Sequence, residues 1–416
     1  MQYILKAPAN INTTIKLPAS KSISNRALII HALSQGDILP QNLSVCDDTE
    51  VIVNALMSNP DVIDIKAAGT AMRFLTAYLA TRPGSHVITG TERMKQRPIG
   101  VLVDALRYLG ADIQYVGSEG FPPLRVNGRP LDGGYLEVAG NISSQFVSAL
   151  LMIGPVLRNG LELHMTGGIV SRPYIDLTLW MMREFGAVAD WSDIDTVRVE
   201  PHPYSQREYL IESDWSASSY WYEIMALMGN RESQVRFEGL MDASKQGDSI
   251  VKYIFSLMGV KTHFEPSQPG SPTLVTINNH LSVLPRLDYD FVSAPDLAQT
   301  VVVACALMGK PFRFTGLASL KIKETDRIEA LKRELLKLGY VLRDENGDTL
   351  IWDGSRCHPT MQPIDTYQDH RMAMAFAPAA IKFPGLRIND PNVVTKSYPS
   401  FWADLEQAGF EITKIK

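Results

Sequence analysis

The stretch Gly69-Thr-Ala-Met-Arg-Phe-Leu-Thr-Ala77 joins small and polar residues directly to an apolar run of helical length. Five other segments follow the same pattern, and they begin at Ser20, Ile142, Trp215, Ala294 and Asp369. A helix N-terminus with Ser, Thr or Gly in its first turn exposes backbone N–H groups at the positive end of the helix dipole. The pattern therefore predicts six apolar helices whose first turns favour negatively charged ligands.

A second family of helices alternates with the first. These segments are amphipathic and each ends at a glycine, the residue expected just after a helix terminus. They are Pro98–Gly110, Pro173–Gly186, Asp248–Gly259, Asp326–Gly339 and Pro399–Gly409. Strand-like runs precede them, as in His86-Val-Ile-Thr-Gly90. A strand, an amphipathic helix and an apolar helix that recur together indicate a repeated supersecondary unit.

The spacing of the apolar helices gives the length of the repeat. Their starts near residues 69, 143, 216, 295 and 369 lie 73 to 79 residues apart. The interval from residue 20 to residue 69 is only 49 residues, so the first repeat lacks about one hairpin, roughly 25 residues. A chain of 416 residues exceeds what one hydrophobic core normally supports. We therefore predict two domains of three repeats each, the first repeat truncated.

Composition limits the class of protein. With 45% apolar and 20% charged residues the chain is typical of a globular protein, and a net charge of −5 argues against a broad nucleic-acid surface. The cysteines at 46, 305 and 357 are few, odd in number and far apart, which favours neither a disulfide framework nor a zinc site. No segment has the length of a signal-peptide core or a membrane span, so we expect a cytoplasmic protein.

Cationic residues cluster at the junctions that lead into helices. The clusters contain Lys21 and Arg26; Arg93, Lys95 and Arg97; Lys321, Lys323 and Arg327; and His370 with Arg371. A single cluster of this kind is usually a solvated loop, but junctions between strands and helices are the usual place for ligand contacts in α/β proteins. The common nucleotide-binding and hydrolase motifs do not occur. The chain is therefore expected to bind anions through these cationic clusters and not through a common nucleotide-binding motif.

Several of these segments resemble the enolpyruvyl transferase family, and within it the 5-enolpyruvylshikimate-3-phosphate synthases. The resemblance runs from Leu17 to Lys396 and keeps the family's order of motifs. Its motifs are Leu17-Pro-Ala-Ser-Lys-Ser-Ile-Ser-Asn-Arg26, Ala68-Gly-Thr-Ala-Met-Arg73, Arg93-Met-Lys-Gln-Arg-Pro-Ile-Gly100, Ser143-Ser-Gln145, Lys323-Glu-Thr-Asp-Arg327 and Asp369-His-Arg-Met-Ala-Met374.

The resemblance implies a fold. It is the two-domain α/β enolpyruvyl transferase fold, an inside-out α/β barrel in which each domain has three βαβαββ repeats. The chain then crosses twice, which gives an N-terminal domain of residues 20–212 and a C-terminal domain of residues 1–19 plus 213–416. The active site is expected in the cleft between the domains.

The resemblance also implies a reaction. The enolpyruvyl group of phosphoenolpyruvate is transferred to the 5-hydroxyl of shikimate 3-phosphate through a tetrahedral intermediate, and phosphate is released. This step belongs to the shikimate pathway, which leads to chorismate and the aromatic amino acids. We expect these two small molecules as partners, no cofactor and no metal, no nucleic acid or membrane, and a monomer.

Residue by residue, the resemblance implies two sets of ligand contacts. Arginines match phosphate and carboxylate groups bidentately, and lysines supply point charges. The shikimate 3-phosphate set is Lys21, Ser22, Arg26, Ser143, Ser144, Gln145, Ser171, Tyr174, Asp296, Ser319 and Lys323. The phosphoenolpyruvate set is Lys21, Gly69, Arg97, Gln145, Arg327, Arg371 and Lys396.

Four residues are expected to act in proton transfer: Asp296, Glu324, Lys21 and Lys396. The sequence does not assign a particular proton to any of them. An alternative role for Asp296, which follows Pro295, is to cap a helix. An alternative role for Glu324 is to pair with Arg327, which is compatible with catalysis.

Three positions depart from the family pattern: Ala67, Phe74 and Ser319 stand where Asn, Pro and Asn are common.

Three other functions remain open. The sister enzyme that acts on UDP-N-acetylglucosamine typically carries a reactive cysteine in the loop that corresponds to Thr91–Pro98, where this chain has none. A non-catalytic module that binds phosphorylated ligands, or a scaffold of structural repeats, would not need Asp296 and Glu324 or cations at successive junctions.

Overall fold

The computed structural model describes residues 1–268, 271–281 and 284–415. The chain divides into two compact units. The N-terminal unit is Ala19–Ile211, and the C-terminal unit combines Met1–Pro18 with Glu212–Lys416. The division predicted from the sequence places each crossing one residue later. Each unit encloses its own hydrophobic core.

The elements follow one another as the repeat pattern predicts. Residues 1–18 form strands β1 (Gln2–Lys6) and β2 (Asn12–Lys16). The N-terminal unit contains α1 (Lys21–Ser34), α2 (Asp47–Ser58), β3 (Val62–Asp64), α3 (Gly69–Ala80), β4 (Gly84–Thr89), α4 (Gly100–Tyr108), β5 (Asp112–Tyr115), β6 (Leu124–Gly128), β7 (Gly134–Ala139), α5 (Ser144–Ile153), β8 (Leu161–Thr166), α6 (Arg172–Glu184), β9 (Ala189–Trp191) and β10 (Thr196–Val199). The C-terminal unit continues with α7 (Trp215–Met228), β11 (Gln234–Leu240), α8 (Val251–Leu257), β12 (Val260–Phe264), β13 (Thr273–Asn279), β14 (Leu287–Asp290), α9 (Ala298–Leu307), β15 (Phe312–Thr315), α10 (Arg327–Lys337), β16 (Arg343–Glu345), β17 (Thr349–Trp352), α11 (His370–Phe376), β18 (Leu386–Asn389), α12 (Phe401–Gln407) and β19 (Glu411–Ile415).

Four sheets share one strand order. They are β3-β4-β6-β5, β7-β8-β10-β9, β2-β11-β13-β12 and β14-β15-β17-β16. In each sheet the first two strands are parallel and the last two form an antiparallel hairpin. One apolar helix joins the parallel strands in three of the sheets, whereas the N-terminal unit and then α7 lie between β2 and β11 in the chain. The recurrence of this order confirms the predicted βαβαββ repeat.

The two remaining repeats are incomplete in different ways. In the last repeat, β1 lies between β18 and β19 and is antiparallel to both. The position of the first strand is taken by Ile364, which forms a single parallel bridge with Ile388 of β18. The N-terminal segment therefore supplies the fourth strand of the last repeat. In the first repeat, no hairpin follows α1 and α2 in the described chain. Where the other repeats have a sheet, this repeat has one parallel bridge, between Gln41 and Leu210. The predicted truncation is confirmed.

The apolar helices form the centre of each unit. Helices α1, α3 and α5 pack together in the N-terminal unit, and α7, α9 and α11 pack together in the C-terminal unit. Every residue of α9 is buried, because its sequence is apolar on all faces. The amphipathic helices end as predicted, since the glycines that follow them have φ between 84° and 99°. No helix in the described ranges is long and apolar enough to span a membrane.

Candidate active site

Arg26 is the most deeply enclosed cation of the N-terminal unit. It lies on α1, and its Nε donates to the Thr178 hydroxyl at 2.7 Å while Nη2 donates to the Ser148 hydroxyl at 3.1 Å. Its Nη1 donates to the Ser22 carbonyl at 2.9 Å, and the guanidinium lies 5.4 Å from the centre of the Phe74 ring. No carboxylate of the described residues pairs with it. Burial lowers the pKa of Arg26 to about 10, so it stays charged at neutral pH.

Lys21 is the first residue of the same helix, α1. Ser20 caps the helix, since its side chain accepts a hydrogen bond from the Ile23 N–H. Lys21 Nζ lies 3.1 Å from Asp48 Oδ2, and the Asp48 side chain is almost fully buried. Because Asp48 is held in the first turn of α2, it fixes the Lys21 ammonium near the helix start.

Gly69 is the first residue of α3, and two arginines lie against it. Arg73 Nη1 donates to the Gly69 carbonyl at 2.8 Å. A Cβ at position 69 would lie 2.6 Å from Nη1 of Arg73 and 2.6 Å from Nη1 of Arg97. The absence of a side chain at this position is therefore what allows both guanidinium groups to approach the N-terminus of α3.

The start of α5 supplies neutral polar groups. Ser143 caps the helix by accepting from the Gln145 N–H at 3.3 Å, and Ser144 is buried. Gln145 Nε2 donates to the Thr70 hydroxyl at 3.1 Å, which joins the starts of α5 and α3. Hydroxyl and amide groups in these first turns are suited to the oxygens of a phosphate.

Two further residues of the shikimate 3-phosphate set lie at the start of α6. Ser171 has φ of 55° and makes no capping hydrogen bond with its side chain. The Tyr174 carbonyl accepts from Arg26 Nη2 at 3.3 Å, and the Tyr174 ring lies 5.9 Å from the Arg26 guanidinium. The structure thus brings α1, α5 and α6 together around Arg26.

In the C-terminal unit, Arg327 is the centre of a buried ion-pair network. Its Nε donates to Asp369 Oδ2 at 2.7 Å, its Nη1 to Asp296 Oδ1 at 3.0 Å and its Nη2 to Glu324 Oε2 at 3.0 Å. The Arg327 side chain is 2% exposed and that of Asp369 is fully buried. Burial alone would lower the pKa of Arg327, but the three carboxylates raise it above its ordinary value.

Asp296 lies in the turn that leads into α9, where three cations surround it. Besides Arg327, its carboxylate lies 3.3 Å from Arg371 Nη2 and 3.6 Å from Lys323 Nζ. Burial would raise the pKa of Asp296, yet Arg371, Lys323 and Arg327 together hold it well below its ordinary value. The carboxylate is therefore ionised at neutral pH, and the three cations make it a weaker base than an ordinary aspartate. Asp296 is not the helix cap that the sequence also allowed, since the cap positions of this turn and of α9 are Ala294 and Leu297.

Glu324 joins Arg327 to a second cation. Lys396 Nζ lies 2.6 Å from Glu324 Oε1, and both side chains are largely buried. The predicted pairing of Glu324 with Arg327 is present as well. A carboxylate and an ammonium in direct contact within a protected site form a pair between which a proton can be exchanged.

Not every residue named from the sequence enters this network. Ser319 lies half-buried in a turn of 3-10 helix at residues Ala318–Ile322, and its hydroxyl makes no hydrogen bond within the described part of the chain. The network of Asp296, Lys323, Glu324, Arg327, Asp369, Arg371 and Lys396 otherwise contains the residues predicted for this half of the molecule.

Sequence reasoning missed the residues that hold the predicted ones in place. These are Asp48 beside Lys21, Arg73 beside Gly69, Asp369 beside Arg327 and Tyr220, whose hydroxyl accepts from Arg371 Nη1 at 3.4 Å. Two of them could have been found from their place in the sequence. Arg73 lies one helical turn after Gly69, and Asp369 directly precedes α11 as its cap.

Comparison with known proteins agrees with this geometry. The EPSP synthase (3-phosphoshikimate 1-carboxyvinyltransferase) family model matches residues 5–58 and 50–405. A 3-phosphoshikimate 1-carboxyvinyltransferase of Bacteroides fragilis is 59% identical over 413 residues, 99% of each chain. One from Photobacterium damsela subsp. piscicida is 35% identical over 436 residues, which covers 98% of this chain and 99% of the relative.

Solved structures show the same fold. An EPSP synthase structure from Acinetobacter baumannii superposes with a TM-score of 0.79 at 20% identity and covers 99% of this chain and 100% of its own. A second EPSP synthase structure from that organism gives a TM-score of 0.77. The βαβαββ repeats and the two cationic clusters define a two-domain protein of the enolpyruvyl transferase class. The chain belongs to the EPSP synthase family.

Proposed function

We propose that this chain is a 3-phosphoshikimate 1-carboxyvinyltransferase, which transfers the enolpyruvyl group of phosphoenolpyruvate to the 5-hydroxyl of shikimate 3-phosphate. Its membership of the EPSP synthase family and a 59% identical relative of that name support this proposal. The structural observation that carries it is Arg26, a buried cation whose hydrogen bonds go to neutral acceptors. A buried, uncompensated guanidinium favours an anion such as the phosphate of shikimate 3-phosphate.

We further propose that the two clusters serve this one reaction. Lys21, Ser22, Arg26, Tyr174 and the polar starts of α5 and α6 hold shikimate 3-phosphate. Gly69 with Arg97, together with Arg327, Arg371 and Lys396, holds the phosphate and carboxylate of phosphoenolpyruvate. Carboxylates already fix Lys21, Arg327, Arg371 and Lys396, and hydroxyl and carbonyl groups fix Arg26. Within each unit these cations therefore need little reorganisation when the substrates bind.

We propose one assignment of the proton transfers, in which bound substrate anions offset the cations around Asp296. The ionised Asp296 accepts the proton of the 5-hydroxyl as its oxygen bonds to C2 of phosphoenolpyruvate. The pair of Glu324 and Lys396 supplies the proton that C3 gains in the same step. In the second step C3 returns its proton to the pair of Glu324 and Lys396, and the bond from C2 to the phosphate oxygen breaks. The leaving phosphate takes the proton held by Asp296, so that the enol ether is restored and both groups regain their resting charge.

The test is direct. The chain is incubated with shikimate 3-phosphate and phosphoenolpyruvate without added metal, and phosphate release is measured. Release that depends on both substrates is the expected result. Turnover of UDP-N-acetylglucosamine with phosphoenolpyruvate, in place of shikimate 3-phosphate, would overturn the proposal in favour of the sister enzyme.

We also propose that the chain acts in the cytoplasm as a monomer. Cys46, Cys305 and Cys357 are free thiols in the described residues, which is compatible with a reducing compartment. Sedimentation velocity tests the monomer, and a concentration-dependent dimer would contradict it.

A further inference from the structure

The start of α7 is the one apolar helix start for which the sequence offers no ligand. Its first two backbone donors are already used within the C-terminal unit. The Ser216 N–H donates to Asp214 Oδ1 at 2.7 Å, and the Trp215 N–H donates to Gln246 Oε1 at 3.1 Å. The first turn of α7 is therefore closed by its own chain and does not present an empty anion site.

The loop that closes this helix start also carries a buried carboxylate. Gln246 Nε2 donates to the Ser213 carbonyl at 2.9 Å, which ties the loop to the segment before α7. Two residues further on, Asp248 is 1% exposed and its Oδ2 accepts a hydrogen bond from the Ser216 hydroxyl. Asp248 is thus fixed from α7 and from its own loop.

Tyr220 lies one helical turn after Ser216, so Asp248 and Arg371, which these two side chains contact, lie along the same face of α7. Arg371 Nη1 donates to the Tyr220 hydroxyl at 3.4 Å. Burial raises the pKa of Asp248 to about 6. The charges of Asp296 and Asp214 also raise this pKa, whereas the Arg371 charge and the Ser216 hydroxyl lower it. We name Ser216, Tyr220 and Asp248 the α7 platform.

We propose that the α7 platform positions Arg371 for phosphoenolpyruvate, and that Asp248 takes up one proton from solvent when this anion binds. The inference rests on the proposed function, which assigns Arg371 to phosphoenolpyruvate. Asp248 does not touch the reacting atoms; it is a positioning residue that acts through Arg371.

The proton uptake follows from simple electrostatics. An anion bound by Arg371 brings negative charge towards Asp248 and engages the cation that favoured its ionised form. Protonation of Asp248, from carboxylate to carboxylic acid, removes this repulsion. Between the pKa of the free and the bound state, affinity for the anion therefore falls as pH rises, by up to about tenfold per pH unit.

Two substitutions should change the pH dependence of anion affinity in different ways. Asp248→Asn keeps the shape and an acceptor for Ser216 but removes the titrating group, so the pH-dependent component disappears. Ser216→Ala removes a donor that favours the carboxylate, so the step in affinity moves to higher pH. Asp242→Asn is the matched control, because the same change is made in an exposed side chain paired with Lys252.

The experiment measures kcat and KM for phosphoenolpyruvate at saturating shikimate 3-phosphate from pH 5.5 to 8.0. The ionisation of phosphoenolpyruvate itself affects every variant equally and cancels in the ratio to wild type. We expect the KM ratio of wild type to Asp248→Asn to rise about threefold to tenfold across this range. The KM for shikimate 3-phosphate should stay unchanged, and Asp242→Asn should follow wild type.

Two failures are distinguishable. If wild type shows no turnover, the proposed function and this inference both fall. If wild type turns over but Asp248→Asn keeps a parallel pH profile, the inference alone is overturned. Should Asp248→Asn not fold, a Ser216→Ala profile that is unshifted or displaced to lower pH overturns it.

Discussion

Replacement of Gly69 by alanine should weaken phosphoenolpyruvate binding without unfolding the protein. The new Cβ would lie 2.6 Å from Nη1 of both Arg73 and Arg97, whereas ordinary contact begins near 3.4 Å. Each guanidinium must therefore move by about 3.4 − 2.6 = 0.8 Å. Gly69 does not have a positive φ, so alanine itself fits the backbone of α3.

The displacement predicts the size of the effect. A shift of about 1 Å in a group that aligns a substrate can cost about 100-fold in rate or affinity. We expect Gly69→Ala to raise the KM for phosphoenolpyruvate by roughly 10-fold to 100-fold. The KM for shikimate 3-phosphate should change far less, because the hydrogen bonds that hold Arg26 go to groups on α1, α5 and α6.

The assay is steady-state phosphate release with each substrate varied in turn, and thermal unfolding of each variant checks the fold. Gly100→Ala is the matched control: Gly100 is also the first residue of a helix, but its Cβ would meet atoms no closer than 3.5 Å. An unchanged KM for phosphoenolpyruvate in Gly69→Ala would refute the reasoning. An equal rise in Gly100→Ala would do the same.

The other predictions concern charge. Asp296→Asn and Glu324→Gln should each lower kcat by at least about 100-fold with near-native unfolding temperatures, and near-normal turnover would contradict their catalytic roles. Arg327→Ala should destabilise the C-terminal unit by about 3–5 kcal/mol in urea unfolding, since it leaves buried carboxylates without their partner. Glu223 has no hydrogen-bond partner in the described structure, and burial raises its pKa well above the ordinary value of 4.5. The fold therefore loses stability as pH rises above 4.5, and Glu223→Gln should stabilise the protein by up to roughly 3 kcal/mol at pH 7 and by nothing near pH 4. A gain that does not vary with pH would contradict this.

The repeated architecture could be predicted because its signals are local. A glycine such as Gly339 stops a helix through its own backbone, and an apolar run such as Thr300–Gly309 indicates a buried helix without reference to the rest of the chain. The strand order within each sheet could not be read in this way. It depends on which edge each hairpin packs against, and that is decided by tertiary contacts.

The same distinction applies to the site. Residue type and position at a helix start pointed to Arg26, Gly69 and Arg327, because anions bind where cations and free N–H groups coincide. The groups that fix them come from distant parts of the sequence: Thr178 is 152 residues from Arg26, and Asp369 is 42 residues from Arg327. No local pattern encodes such a pairing.

The position of β1 has a consequence for how the chain is made. β1 lies between β18 and β19, and 386 − 6 = 380 residues separate Lys6 from the first residue of β18. During synthesis the N-terminal unit is complete as one continuous segment long before β1 meets its neighbours. The N-terminal unit is therefore able to fold while β1 stays unpaired, until residues 386–415 have been synthesised. The sheet of the last repeat thus joins the two most distant parts of the described chain, and it forms after the rest of the fold has been synthesised.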